Sequence, residues 1–325
     1  MRGSGKNDSD IDFHELAEKV SKIEEALNVA LTYLDKNLHV SSNLFETYAH
    51  RSSRPYYPLN DGWGLTHLNT GQPFFVNTMD RNITPWIIMG GHWEPNVDRV
   101  LMAYAQPGMN VLDIGANMGY YTVKLGTKIT SSGSLLAFDP NPEVNAVCLE
   151  NIKINNLAGH CRIFNYALGD EDATATLTRS NSNMASANLL GEQDADYSVD
   201  VEIKVLDNLV PTSRKIDLIK LDAEGYETKI LKGAARTLAN SKDCATMIEL
   251  NLRRWEGTHQ IEDLIPLCGG NGRTAYAVHD DGTIEEFAIA DIRPFLAIRP
   301  FSENYFLVAQ PHLVKTHLSE LLRVK

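Results

Sequence analysis

Acidic and glycine residues cluster in one segment whose spacing suits the binding of a small ligand. The segment Asp113-Ile114-Gly115-Ala116-Asn117-Met118-Gly119-Tyr120 directly follows an apolar run and precedes a helix-like pattern. Glycines in a strand-to-helix turn let the backbone approach a ligand closely, and the first turn of a helix offers unpaired N–H groups. The spacing is G-x-x-x-G, which differs from the G-x-G-x-x-G of dinucleotide-binding turns. Because the Asp113 carboxylate would repel a pyrophosphate, the segment favours a cationic ligand such as S-adenosylmethionine, which carries an ammonium and a sulfonium.

A second carboxylate, Asp139, follows the next apolar run, a little over twenty residues beyond the glycine turn. A carboxylate in this place accepts hydrogen bonds from the hydroxyls of a ribose, in nicotinamide and adenosylmethionine enzymes alike. Asp139-Pro140-Asn141-Pro142 is also a good turn and helix start in its own right. Residues 165–170, after the third apolar run, stand where they would meet the edge of an adenine. Together these segments predict a nucleoside site.

Further carboxylates gather after a fourth apolar run, in Lys220-Leu221-Asp222-Ala223-Glu224-Gly225-Tyr226-Glu227. Alternation along the strand sends Asp222 and Glu224 to the same side. We interpret Glu227 as a first-turn acid that the helix dipole stabilises. Burying an acid at the end of an apolar strand costs free energy unless the acid binds a partner. Glu249, near the end of a fifth apolar run, is a further acid of this kind. Asp222, Glu224 and Glu249 are therefore candidate general bases, with His92 in a Gly-Gly-His-Trp turn as a further candidate.

The elements that would position these residues are short apolar strands alternating with helices from residue 109 onward. We predict strands at 109–114, 134–138, 161–165, 216–221, 245–250, 275–279 and 305–308, and helices at 120–128, 142–155, 227–238 and 261–268. This alternation indicates an α/β fold with a parallel sheet covered on both faces and ligands at the carboxyl ends of the strands. We also predict a strand at 74–80, a helix at 94–105, an irregular loop at 50–75, and a loop or hairpin beside the site at 170–207.

A heptad pattern precedes this domain. Apolar residues at 13, 16, 20, 23, 27, 30 and 34 alternate three and four positions apart, which is typical of a coiled-coil seam or of a single amphipathic helix. We predict a homo-oligomer, most simply a dimer, through residues 13–34. The predicted organisation is residues 1–10 disordered or vector-derived, 11–40 a coiled-coil-like helix, 41–95 a linker and N-terminal cap region, and 96–325 the main domain.

Composition narrows the class of protein. The 325 residues include 30 Lys and Arg against 42 Asp and Glu, a net charge of −12, and 43% are hydrophobic. The balance is that of a globular protein, and the acidic charge disfavours nucleic acid as a partner. The four cysteines form no C-x-x-C pair, which favours buried thiols in a reducing cytoplasm over a zinc site. No apolar stretch approaches the ~20 residues of a membrane span.

Residues 73–311 resemble the FkbM-type family of S-adenosylmethionine-dependent methyltransferases. The resemblance lies in the 91–95 segment with Glu94, in DIGANMGYYT, FDPNP, NYALGD and SNSNMASANL, and in IKLDAEGYETKILKGA. It implies a Rossmann-like class I methyltransferase fold with a seven-stranded, mostly parallel sheet, and O-methylation, often of a sugar or polyketide hydroxyl. The family usually has Glu where Asp139 stands, and the shorter acid can still bind a ribose. The residues that these motifs assign to the cofactor are Glu94, Asp113, Gly115, Asn117, Gly119, Tyr120, Asp139, Pro140, Asn165 and Ala167.

The chemistry that follows is methyl transfer from S-adenosylmethionine to a hydroxyl of a small molecule or saccharide. The acceptor must be held in line and deprotonated, and Asp222, Glu224, Glu249 or His92 would act as the base. No residues have the spacing of a metal site and none is assigned to a metal, although Asp222 and Glu249 could share a divalent ion. The aromatic and Arg-rich residues 51–63 are a candidate surface for a sugar.

Two alternatives remain open at this point. One is a nicotinamide-dependent oxidoreductase or epimerase, against which the glycine spacing and Asp113 argue. The other is a non-catalytic assembly module built around the heptad helix, against which the set of cofactor-facing acids argues.

Overall fold

The computed structural model describes residues 55–60, 62–179, 189, 197–250, 272–288, 291–297 and 304–323. Residues from Pro55 onward form one compact unit. The heptad helix of residues 13–34, the segment 1–10 and the helix predicted at 261–268 lie outside the described residues. Among the described residues, no helix combines the length and the apolar character that crossing a membrane requires.

The strands of the described residues are β1 (Tyr57–Pro58), β2 (Trp63–His67), β3 (Pro73–Asn77), β4 (Asn110–Ile114), β5 (Ser134–Phe138), β6 (Cys161–Phe164), β7 (Ala167–Gly169), β8 (Ala173–Arg179), β9 (Tyr197–Val205), β10 (Leu218–Leu221), β11 (Ala245–Leu250), β12 (Thr274–Val278), β13 (Ile284–Phe287) and β14 (Asn304–Ala309). The helices are α1 (Ile83–Gly90), α2 (Pro95–Tyr104), α3 (Tyr120–Ile129), α4 (Pro142–Ile154), α5 (Leu206–Leu209), α6 (Glu227–Gly233), α7 (Ala235–Asn240), α8 (Ile292–Ala297) and α9 (Pro311–His317).

The main sheet has eight strands within the described ranges, in the order β13-β12-β14-β11-β10-β4-β5-β6. The strands from β11 to β6 pair in parallel, whereas β14 runs antiparallel to both β11 and β12. The sheet is therefore mostly parallel and Rossmann-like, which confirms the predicted fold class. The expected number of seven strands is one too few, because the chain turns back after β12 and adds β13 as an antiparallel edge strand.

Helices cover both faces of this sheet. Val111 on β4 belongs to a buried cluster with apolar side chains of α2, α3 and α4, whereas its neighbour Leu112 belongs to a second cluster with α6 and α7. Every residue of β10, β11 and β14 is buried, as expected of strands that are covered on both faces. The covered faces leave the carboxyl ends of the parallel strands as the edge where a ligand can bind.

The segment before the main sheet is more regular than the loop predicted at 50–75. β1, β2 and β3 form an antiparallel sheet, and α1, which the sequence analysis did not predict, follows it. The two buried positions of β2 are Gly64 and Thr66, so the strand lacks the alternation of large apolar residues that would reveal it. The strand predicted at 74–80 is observed as β3, and the helix predicted at 94–105 as α2.

Two side-chain amides attach β3 to α4. Asn151, which is buried, accepts a hydrogen bond from the Phe75 N–H at 2.6 Å and donates to the carbonyls of Phe75 and Met118 at 2.9 and 2.8 Å. Asn155 donates to the Pro73 carbonyl at 2.9 Å. Because Met118 belongs to the glycine turn after β4, Asn151 connects the small sheet to the candidate cofactor site.

Residues 170–207 contain β8 and β9 as an antiparallel pair, and β7 adds to β9 in parallel. This agrees with the predicted hairpin, and residues 180–188 and 190–196 of it lie outside the described residues. The helix predicted at 227–238 is divided into α6 and α7 at Ala234.

Candidate active site

A cavity of about 460 Å³ opens at the carboxyl ends of β4, β5, β10 and β11. It joins the glycine turn after β4 to the acidic turn after β10, which are distant in the sequence. The predicted site residues that line it are Glu94, Gly115, Asn117, Tyr120, Asp139, Pro140, Ala167, Asp222, Glu224 and Glu249. The predicted residues Asp113, Gly119, Asn165 and His92 are not among the lining residues of the described chain.

The glycine turn is held against two neighbouring strand ends. The N–H groups of Gly115 and Ala116 both donate to the Phe138 carbonyl, at 2.9 and 3.1 Å. Gly115 has a φ of +77°, and a Cβ at this position would lie 1.7 Å from the carbonyl oxygen of Asp222. Conformation and space therefore both require glycine at 115. Gly119, with a φ of +87°, begins α3 against Cys148 and shapes the turn from behind.

Asp113 lies beneath the glycine turn and not on the cavity wall. It is 0% exposed, and its Oδ2 accepts a hydrogen bond from the Thr122 hydroxyl at 2.6 Å. Burial raises the pKa of Asp113, against the opposing effects of the Lys220 ammonium and the Thr122 hydroxyl. Asp113 therefore acts on the site through its charge, which raises the pKa of the cavity-lining Lys220.

Asp139 lines the cavity and organises the turn that follows β5. One carboxylate oxygen accepts from the Asn117 N–H at 2.8 Å, and the other accepts from the Asn141 N–H at 2.9 Å. Burial raises the pKa of Asp139 to about 6, although both backbone N–H groups favour the ionised form. Asn165 supports the same turn from outside, because its amide donates to the carbonyls of Asp139 and Pro140 at 3.0 and 2.8 Å. Each carboxylate oxygen has a second lone pair with which it can accept a ribose hydroxyl.

The acidic turn after β10, residues 222–225, places two carboxylates beside a third on β11. Asp222, Glu224 and Glu249 offer oxygen atoms that all lie within 4.8 Å of one another. Glu224 has a left-handed backbone with a φ of +56°, and Glu249 on β11 is only 6% exposed. Such a group can accept a proton, and its all-oxygen character also suits a hard divalent cation.

Lys220 lines the cavity and was not singled out by the sequence analysis. Its ammonium is 2.9 Å from Oδ2 of Asp222 and 3.1 Å from the carbonyl oxygen of Gly115, so it connects the acidic turn to the glycine turn. Burial alone would lower the pKa of Lys220, but the carboxylates of Asp222, Asp113 and Glu94 raise it above its ordinary value. The signal available in the sequence was a lysine within the apolar strand Leu218–Leu221, since a buried lysine requires partners.

Glu94 faces this region from the N-terminal side of the domain. Its carboxylate accepts hydrogen bonds from the hydroxyl of Tyr121, at 3.0 Å, and from the hydroxyl of Tyr305. Its backbone is left-handed, with a φ of +43° at the start of α2. Tyr305 lies on β14 directly opposite Glu249, so Glu94 and Glu249 share a neighbour. Sequence analysis did not predict either tyrosine.

The remaining wall of the cavity is aromatic and apolar. It includes Trp86, Trp93, Tyr166, Tyr226, Leu177 and Leu189, together with the exposed Arg81. The described part of residues 51–63, which was the candidate sugar surface, does not contribute to the lining. His92 has its ring Nδ1 3.0 Å from the carbonyl oxygen of Gly90 in its own turn.

The Methyltransferase FkbM domain matches residues 113–298, which is more than half of the chain. The chain belongs to the FkbM methyltransferase family. "Methyltransferase 1" of Beauveria bassiana is 26% identical over 224 residues, which cover 62% of this chain and 80% of that protein. The "Hexuronic acid methyltransferase AglP" of Haloferax volcanii is 26% identical over 155 residues, which cover 47% of this chain and 61% of that protein.

Among solved structures, an O-methyltransferase from Bacillus cereus in complex with SAH is similar with a TM-score of 0.33 and 14% identity. The similarity covers 67% of this chain and 80% of that chain. The fold assignment itself rests on the strand order of the main sheet and on the family match.

Membership of the FkbM methyltransferase family confirms the resemblance and favours a methyltransferase over the oxidoreductase and assembly-module alternatives. The glycine turn, Asp139 and the acidic turn all fall within the matched residues, whereas Glu94 precedes them. In this FkbM methyltransferase, Glu94 from before the matched range and residues within that range line the same cavity.

Proposed function

We propose that this protein is an S-adenosylmethionine-dependent O-methyltransferase that acts on a hydroxyl of a small molecule or saccharide. The observation that supports the proposal is that the glycine turn and Asp139 line the same cavity as the carboxylates of Asp222, Glu224 and Glu249. One part of the cavity suits a nucleoside, and the other suits a hydroxyl that must lose a proton.

The residues of the first part fit S-adenosylmethionine. Gly115 lines the cavity with backbone atoms alone, because the Asp222 carbonyl occupies the place of a Cβ. Asp139 would accept the ribose hydroxyls, and Pro140 and Ala167 would border the adenine. The carboxylate of Glu94 and the charge of Asp113 would favour the ammonium and sulfonium groups. When bound, S-adenosylmethionine supplies an electrophilic methyl group whose departure needs no acid.

The protein's own contribution would be to orient the acceptor and remove its proton. Asp222 is paired with the Lys220 ammonium at 2.9 Å, so Lys220 offsets part of the negative charge of the acidic turn. Glu224 and the buried Glu249 complete the group. We propose that Glu224 or Asp222 takes the hydroxyl proton, and that Glu249 flanks the site.

The test measures two quantities for each of three variants, Asp222→Asn, Glu224→Gln and Glu249→Gln. Loss of a true base lowers turnover by about 10²–10⁴-fold while S-adenosylhomocysteine affinity stays near the parent value. Glu150→Gln is the matched control, because Glu150 is a carboxylate of α4 whose ion pair with Lys153 is exposed. If all three variants turn over within a few-fold of the parent, the base lies elsewhere and His92 is tested next.

A chelation experiment separates a base from a metal ligand. We expect turnover to survive chelation, since the proposal assigns no metal. Loss of activity on chelation and its return with a divalent ion would assign Asp222, Glu224 and Glu249 as ligands that acidify the hydroxyl.

For the acceptor, we propose the saccharide or polyketide class. Trp86 and Trp93 offer flat apolar faces on the cavity wall, and aromatic faces of this kind can pack on a sugar ring. The name of the Haloferax volcanii relative, which refers to a hexuronic acid, supports including uronic acids in the screen. Trace methyl transfer to a panel of sugars and polyhydroxylated small molecules would identify the class, and transfer only to amines or thiols would contradict O-methylation.

We also propose that the chain forms a homo-oligomer through residues 13–34 and acts in the cytoplasm. The oligomer proposal is supported by the three-four spacing of the apolar residues. The location is supported by the buried free thiols of Cys148, Cys161 and Cys244, which suit a reducing compartment.

A further inference from the structure

The carboxylate of Glu227 is bound to the turn that carries the candidate base. Its Oε1 accepts hydrogen bonds from the N–H groups of Ala223 and Gly225, at 3.0 and 3.2 Å. These two N–H groups lie on either side of Glu224. Glu227 is 1% exposed, unlike a first-turn acid that interacts with the helix dipole from the solvent side.

The turn that Glu227 holds has an unusual backbone. Glu224 and Gly225 are consecutive left-handed residues, with φ values of +56° and +98°. A side chain disfavours this conformation at Glu224, so the turn needs contacts that keep it there. One acceptor oxygen that binds the N–H before and the N–H after Glu224 is such a contact.

The same turn also contacts the glycine turn after β4. The N–H of Asp222 donates to the Ile114 carbonyl at 3.1 Å, and the carbonyl of Asp222 packs where a Cβ of Gly115 would be. Two sets of contacts therefore fix the orientation of the acidic turn. One is the backbone contact of Asp222 with Ile114 and Gly115, and the other is the Glu227 carboxylate.

We infer that Glu227 is a positioning residue, which holds the Ala223–Gly225 turn and thereby aims the carboxylates of Asp222 and Glu224 into the cavity. This inference rests on the proposed function, since the carboxylates it positions are the proposed base. Burial raises the pKa of Glu227 to about 7, against backbone N–H groups that favour the ionised form. A leucine of similar size would fill the same space without the cost of burying a carboxylate. What only the acid contributes is the oxygen that accepts the two N–H groups of the turn.

Two substitutions separate the acceptor from the packing. Glu227→Gln keeps a carbonyl oxygen of similar reach, whereas Glu227→Leu keeps the bulk and removes the acceptor. In the full-length protein, we expect Glu227→Leu to lower kcat by about 10–100-fold with the S-adenosylhomocysteine affinity within about threefold of the parent. Glu227→Gln should restore kcat to within about fivefold of the parent.

A second measurement does not depend on any acceptor being methylated. Hydrogen exchange at the Ala223 and Gly225 amides should quicken by about tenfold or more in Glu227→Leu and stay near the parent rate in Glu227→Gln. Glu150→Leu serves as the control for replacing an acid elsewhere. If exchange at these amides is unchanged in a folded Glu227→Leu protein, the positioning role is overturned, whatever the fate of the proposed reaction. Equal losses of kcat in the two variants with quickened exchange in both would also overturn it, because the charge and not the acceptor would then matter.

Discussion

Replacing Gly115 with alanine tests whether the glycine turn and the acidic turn form one rigid site. The added Cβ would lie 1.7 Å from the carbonyl oxygen of Asp222, whereas real Cβ contacts are essentially never shorter than 3.0 Å. One of the two turns must therefore move by more than about 1 Å. Neither can give easily, because the atom that the Cβ meets is backbone and not the end of a flexible side chain.

The magnitude has two parts. Alanine at a φ of +77° costs about 1–2 kcal/mol for the left-handed conformation, and overpacking a close contact costs about 1–3 kcal/mol more. The free energy of unfolding should therefore fall by about 2–5 kcal/mol. A displacement of about 1 Å in the turn that carries Asp222 and Glu224 should lower turnover by about 10²-fold, because the reacting groups lose their alignment.

Gly71→Ala is the matched control. Gly71 has a φ of +93° and nothing within 4 Å of an added Cβ, so this variant shows the conformational cost alone. Denaturant unfolding and calorimetry with S-adenosylhomocysteine would be measured for both variants and the parent. We expect the Gly115→Ala protein to lose stability, cofactor affinity and turnover, and the Gly71→Ala protein to lose only about 1–2 kcal/mol of stability. If the two variants lose equal stability and both retain parental turnover, the contact between the two turns does not constrain the site.

Four further predictions concern other parts of the molecule. Asn151→Ala should lower the free energy of unfolding by about 2–4 kcal/mol, because it leaves the backbone groups of Phe75 and Met118 without their amide partner; a denaturation midpoint equal to the parent's contradicts this. Asp139→Ala should weaken S-adenosylhomocysteine binding by about 1–3 kcal/mol, and an unchanged dissociation constant would remove Asp139 from the cofactor site. Burial raises the pKa of Asp139 to about 6, so the folded state binds its proton more tightly than the unfolded chain does, and the stability due to this group falls as the pH rises from about 4 to about 6. Asp139→Asn should abolish that part of the pH dependence, about 3 kcal/mol at most, as measured by denaturant unfolding at each pH. Deleting residues 1–40 should reduce the mass measured by light scattering to that of a monomer, and a monomeric full-length chain would contradict the proposed oligomer.

The parts of the fold that were predictable are those with a local pattern. β4, β5, β10 and β11 are apolar runs bounded by turn residues, and the prediction of each agrees with the observed strand to within two residues at each end. β2 was not predictable, because Gly64 and Thr66 fill its buried positions. α1 is short and apolar on most of its surface, and it begins two residues before Pro85, so its pattern does not distinguish a helix from a loop.

The parts of the site that were not predictable depend on contacts between distant residues. The sequence places Asp113 and Asp139 in similar surroundings, but Asp113 lies within β4 and Asp139 directly after β5, and only Asp139 lines the cavity. Asp113 is buried beneath the glycine turn, where its carboxylate accepts a hydrogen bond from the hydroxyl of Thr122 on α3. Glu94 and Tyr305 are 211 residues apart and share a hydrogen bond. The spacing of residues in the sequence does not predict such a pair, because Tyr305 reaches the site through the pairing of β14 between β11 and β12.

The amides that join β3 to α4 have a consequence for how the protein behaves in concentrated solution. β2 occupies one edge of β3, and the other edge carries the backbone groups of Pro73 and Phe75 next to the apolar sequence Phe74-Phe75-Val76. An open edge of this composition is a template for strand addition by another molecule and hence for aggregation. Asn151 of α4 and Asn155, which directly follows α4, occupy its hydrogen-bonding groups with their side chains. A side-chain amide, unlike a strand, offers no backbone edge to which a further strand could pair. Two asparagines thus end the small sheet at three strands and protect the protein from edge-to-edge association.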